Sequence, residues 1–128
     1  MPFRDRLSSL HDIYEAIESI ERFILGMDFP VFKADEKTNA AVERKLLVLS
    51  EAARRLGDDA EKLCPSIPWN NIRGIGNWLR HQYDRVGPSL IWLTVERDLP
   101  PLKLAVGKTL ASPEGPALGS PKVSDEPC

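Results

Sequence analysis

Arg73, Asn77, Arg80, His81 and Asp84 have the types and the spacing of a surface that handles phosphate. At about 100° per residue around a helix, the five fall within about 100° of one another. The same arithmetic gathers Ile72, Ile75, Leu79, Tyr83 and Val86 within about one quadrant on a different side, which is the face to be buried. Two guanidinium groups, an amide, a carboxylate and an imidazole therefore converge on one helix face.

An imidazole exchanges protons near neutral pH without extreme tuning, and His81 is the only histidine on this helix. A guanidinium stays charged and offers phosphate a planar fork of donors. In RNA cleavage, His81 would take the proton of the ribose hydroxyl beside the scissile phosphate while an arginine steadies the charge growing on phosphorus. That scheme calls for no metal or other cofactor. A solvated face or a subunit interface uses the same residue types, so spacing alone leaves those readings open. Tyr83 reads as core, and Trp69, Trp78 and Trp92 as packing or interface anchors. Glu51 is either a salt-bridge partner for an arginine of this helix or a free surface carboxylate.

The elements that must position this face are all helical. Leu7, Leu10, Ile13, Ile17, Ile20 and Ile24 step by three and four along a first amphipathic helix from Phe3 to about Met27, which Gly26 can end. A second helix is predicted after Thr38 or Asn39, either of which could cap it, carrying Val42, Leu46, Leu49, Ala53 and Leu56 to a stop at Gly57. Asp58 to Cys64 reads as a short helical connector, closed by Pro65 and Pro68. The helix with the polar face opens near Pro68 and stops at Gly87-Pro88. Leu90 to Asp98 forms a short helix, and Pro100 and Pro101 enter the first turn of a last one, with Asp98 as its cap. The result is an all-α, up-and-down bundle of four to five helices over residues 1–110. Residues 111–128, rich in proline and glycine, read as a disordered tail.

Composition agrees with one such domain. The chain has 128 residues, 42% of them hydrophobic, enough for a single core. A formal charge of −2 excludes a general coating for nucleic acid or anionic membrane, so any nucleic-acid contact is local. Cys64 and Cys128 are the only cysteines and form no ligand cluster. The charged, amphipathic start and the absence of a long apolar run predict a cytoplasmic protein with no membrane segment.

The stretch Ile67-Pro68-Trp69-Asn70-Asn71-Ile72-Arg73-Gly74-Ile75-Gly76-Asn77-Trp78-Leu79-Arg80-His81-Gln82-Tyr83 resembles the signature of the HEPN superfamily, in its HepT-like branch. The likeness extends to Arg4-Asp5-Arg6-Leu7 with Ile13, to Ala40 through Leu46, to Ser50-Glu51-Ala52-Ala53, and to Trp92 with Asp98-Leu99-Pro100. The resemblance implies a helical bundle that dimerises and cuts RNA in the cleft between two copies of the polar helix. It also implies a toxin–antitoxin pair, in which a minimal nucleotidyltransferase antitoxin adenylylates the tyrosine two residues after the histidine, here Tyr83.

The family's pattern is commonly Arg-Asn-x-x-x-His, and here Gly76 stands before Asn77. Arg80, one turn on, and Arg73, almost one turn back, can each aim a guanidinium at the same phosphate. Gly76 either lets a second helix approach closely or is a tolerated helix glycine, costing about 1 kcal/mol relative to alanine. Two functions follow from the resemblance. One is a ribonuclease that uses His81 with Arg80 or Arg73, supported by Asn77; the other is an inactive binding module that partners a nucleotidyltransferase.

Overall fold

The computed structural model describes residues 3–111, without the side chains of 3, 4 and 82–86. Six helices follow one another: α1 Phe3–Phe23, α2 Phe29–Ala34, α3 Glu36–Leu56, α4 Asp58–Leu63, α5 Trp69–Arg97 and α6 Leu99–Ala111. There is no strand among the described residues, as the all-α expectation requires.

The apolar steps read from the sequence are the ones that pack. Leu10, Ile13, Ile17 and Ile20 of α1, Val42, Leu46 and Leu49 of α3, and Ile72 and Ile75 of α5 are at most 2% exposed. Each large aliphatic side chain withdrawn from water in this way stabilises the fold by about 1.5–3 kcal/mol. The helix α3 lies between α1 and α5, and α6 closes against α1 and α5.

The helix boundaries differ from expectation in several places. The segment from Phe29 to Ala34, for which no element is expected, is a short helix capped by Asp28, whose carboxylate accepts from the Val31 amide at 3.1 Å. It buries Phe32 completely, with the Trp92 ring 5.0 Å from it. The cap of α3 is Asp35, not Thr38 or Asn39: its carboxylate accepts from the Thr38 amide at 3.0 Å and the Thr38 hydroxyl at 2.8 Å. Asn39 instead turns inward and donates to the Phe32 and Asp35 carbonyls at 2.7 and 3.0 Å. The α1 helix ends at Phe23, and Gly26, at φ 81°, carries the turn beyond it. Asp98 pairs with the neighbouring Arg97 at 3.0 Å.

Helix α5 is broken where the sequence breaks. Gly87 sits at φ 54°, ψ −154°, outside helical geometry, and Pro88 starts the helix again in a first turn where its missing N–H costs nothing. The start of α5 is anchored by Trp69, 1% exposed, whose indole N–H donates to the Cys64 carbonyl at 2.8 Å. No helix among the described residues is long and apolar enough to cross a membrane. The expected tail lies outside the described residues apart from Ala111, which closes α6.

Candidate functional site

The first half of α5 is pinned to α3 by one buried hydroxyl. Ser50, 1% exposed, donates through Oγ to the Arg73 carbonyl at 3.0 Å and accepts from the Gly76 amide at 3.1 Å. Two hydrogen bonds to one turn of α5 set its height and rotation against α3. The Ile72, Ile75 and Leu79 side chains are thereby turned into the core, and Asn77, Arg80 and His81 are left exposed.

Arg73 and Arg80 part company in the structure. The Arg73 guanidinium donates through Nη2 to Glu61 of α4 and to Asn70 Oδ1, the latter at 3.3 Å, and its side chain is 20% exposed. It is therefore neutralised locally and turned toward α4. The Arg80 guanidinium has no hydrogen bond or ion pair with a described residue, and it folds back over Gly76. A β-carbon on Gly76 would stand 3.5 Å from its Nη1 and 3.6 Å from its Nη2. Helical side chains tilt toward the N-terminus, onto the turn three or four residues earlier. An arginine at position 80 thus delivers its charge to the surface of position 76.

Across from Arg80 the second face of α3 contributes Arg44, Leu47, Val48, Glu51 and Arg55, which together with Arg80 line a cleft of about 290 Å³. Arg55 is held at the rim by Asp12, at 2.7 Å, and by Ser9, at 3.3 Å. Glu51 lines the cleft and makes no ion pair with a described residue; the Arg85 side chain of the same α5 helix lies outside the described residues. The sequence reading gave Ser50 and Arg44 no part in the site. Arg44, Val48, Glu51 and Arg55 recur at helical intervals, a signal hidden by the stronger apolar stripe on the other face.

Trp69 and Trp92 are packing residues, and Trp78 is partly buried against the core. The Tyr83 and Asp84 side chains, expected respectively at the buried side and on the polar face, lie outside the described residues; both backbones belong to α5. The described surface is one an oligoanion can meet: an exposed imidazole, a guanidinium without a described partner one residue before it, and an amide one turn earlier on the same helix.

The profile of the family "Ribonuclease HepT-like" matches residues 13–108, so the chain belongs to that family. Among its relatives is "Probable ribonuclease HepT" of Thermococcus cleftensis, 39% identical over 100 residues that cover 78% of this chain and 91% of the relative. "Putative RNase MJ1380" of Methanocaldococcus jannaschii is 31% identical over 106 residues, 83% of this chain and 97% of the relative. "Putative RNase TTE0752" of Caldanaerobacter subterraneus is 30% identical over 100 residues, 78% and 88% of the two chains. No solved structure matches the chain.

Proposed function

We propose that this protein is a metal-independent endoribonuclease, the toxin of a toxin–antitoxin pair, acting in the cytoplasm as a homodimer with its α5 helices facing across an RNA cleft. The observation that carries the reading is the Arg80 guanidinium lying over Gly76, one residue before the exposed His81. The charge that the family pattern supplies from the position before Asn77 is supplied here from one turn further on.

In this mechanism His81 removes the proton of the ribose 2′-hydroxyl, and the oxygen attacks the adjacent phosphorus. The P–O5′ bond breaks, the 5′-oxygen takes a proton from water, and a 2′,3′-cyclic phosphate remains. Arg80 holds the non-bridging oxygens as their charge grows, and Asn77 supports the phosphate from the preceding turn. Arg73, bound to Glu61 and turned toward α4, leaves the phosphate contact to Arg80. A minimal nucleotidyltransferase antitoxin would silence the site by transferring a nucleotidyl group from a nucleoside triphosphate to the Tyr83 hydroxyl, releasing pyrophosphate.

The test is RNA cleavage by the purified protein and by His81→Ala and Arg80→Ala, with and without a chelator. The wild type is expected to cut RNA equally in both conditions, and each variant to be slower by about 100-fold or more. Equal cleavage by wild type and His81→Ala would overturn the mechanism. Gly76 favours a second reading, an inactive module that only binds its nucleotidyltransferase. Stable co-purification with that enzyme and no cleavage by the wild type would select it.

A further inference from the structure

The cleft between α3 and α5 is walled by guanidinium groups on both sides and floored by hydrocarbon. Arg44 stands on α3 and Arg80 on α5, and neither has a hydrogen bond or ion pair with a described residue. Arg55 lies beyond Glu51 along the same face of α3 and is already engaged by Asp12. Leu47 and Val48, both partly buried, lie between the arginines. From Arg44 to Arg55 the face runs about 16 Å at the helical rise per residue.

We infer that this cleft is a second phosphodiester subsite, in which Arg44 holds an RNA phosphate next to the one held by Arg80, and Leu47 and Val48 carry the apolar face of the intervening nucleoside. The inference rests on the proposed function only in taking Arg80 to mark the scissile phosphate. Guanidinium groups without partners among the described residues, over an apolar floor, suit an oligonucleotide, which alternates charge with flat apolar surface. They suit an acidic peptide less, because its carboxylates gain nothing from Leu47 and Val48. Glu51 opposes an anion in the cleft and limits its affinity, so removing that charge strengthens the ligand's hold.

The experiment measures binding of a short 2′-O-methyl oligoribonucleotide, which cannot be cut by its own 2′-oxygen, as a function of salt. Arg44→Ala is expected to weaken binding about fivefold to tenfold at moderate salt and to flatten the slope of log affinity against log salt by about 0.7, the contribution of one single-strand phosphate contact. Arg44→Lys restores the slope, Glu51→Gln tightens binding a few-fold, and Lys33→Ala, a change at an exposed residue of α2 away from the cleft, leaves both readouts unchanged. Wild-type affinity and slope in Arg44→Ala would overturn the subsite. So would displacement of the RNA by polyglutamate at equal charge concentration, which would assign the cleft to an acidic protein. Cleavage of unmodified RNA, measured in parallel, separates the two proposals. Arg44-dependent binding without any cleavage supports the subsite and removes the nuclease mechanism, whereas cleavage with Arg44-independent binding removes the subsite alone.

Discussion

The two terminal nitrogens of Arg80 lie 3.5 and 3.6 Å from the point where Gly76 would carry a β-carbon, so the guanidinium of one turn covers the bare backbone of the turn before. A β-carbon there would meet the guanidinium in ordinary van der Waals contact, and the Ser50 hydroxyl more tightly, at 3.0 Å. A residue that looks like a loss in the linear sequence is, in three dimensions, half of a pair.

Arg80→Lys tests that pairing. A lysine ammonium keeps the charge but not the planar fork, and its shorter reach over Gly76 leaves the phosphate less well held. RNA cleavage is expected to fall at least tenfold, with the folding stability of this exposed-site variant unchanged within about 0.5 kcal/mol. Single-turnover cleavage and thermal melting measure the two quantities.

Ser50→Ala should be the most damaging small change near the site. It removes the hydroxyl that serves both the Arg73 carbonyl and the Gly76 amide inside the α3–α5 contact. A loss of about 1–3 kcal/mol is expected in denaturant unfolding, the cost of leaving buried polar groups without partners.

Gly76→Ala and Ser50→Ala should be coupled. An alanine β-carbon at position 76 would stand 3.0 Å from Ser50 Oγ, too close unless the serine shifts. In the wild-type background the helix preference for alanine, about 1 kcal/mol, is offset by that contact; in Ser50→Ala it is expressed. A double-mutant cycle by chemical denaturation should give a favourable interaction energy of at least about 0.5 kcal/mol. Strict additivity would contradict the close contact.

Asp35 gives the fold a pH dependence at its acid end. Hydrogen bonds from the Thr38 amide and then its hydroxyl hold the Asp35 carboxyl below its usual range. A carboxyl with a lowered folded value contributes stability above its unfolded value, about 3.9, and loses it as the pH falls through the folded one. Asp35→Asn, which retains an N-cap acceptor but no charge, is expected to lose this contribution to acid sensitivity, and Asp35→Ala to melt a few degrees lower near neutral pH. Melting curves between pH 7 and the acid limit of folding, compared for the three proteins, check both.

Much of this was legible in the sequence. The apolar steps of α1, α3 and α5 are strong because each long helix repeats its buried stripe over several turns, and the break at Gly87-Pro88 is written in two residues with opposite backbone demands. The α2 helix was not legible, since six residues with a proline at the start give no period to detect. Thr38 and Asn39 were plausible caps by type alone, but Asn39 finds better partners inside, at Phe32 and Asp35. Within the site, spacing placed Arg73 and Arg80 on one face and left them equivalent. The Glu61 carboxylate of α4, brought over by the turn at Gly57, distinguishes them by holding Arg73. The Ser50 bridge depends on two helices meeting at one height, which periodicity within either helix does not encode.

The fold-back of Arg80 bears on how such chains are sorted by motif. A scan that demands arginine directly before Asn77 would file this protein with the inactive members, although a guanidinium with no ion pair to a described residue lies over that turn from four residues downstream. Under the proposed function, a glycine at the expected place and an arginine at the fourth residue after it would form a relocated version of the same surface. Chains carrying that exchange belong among the candidates for assay rather than among the discards.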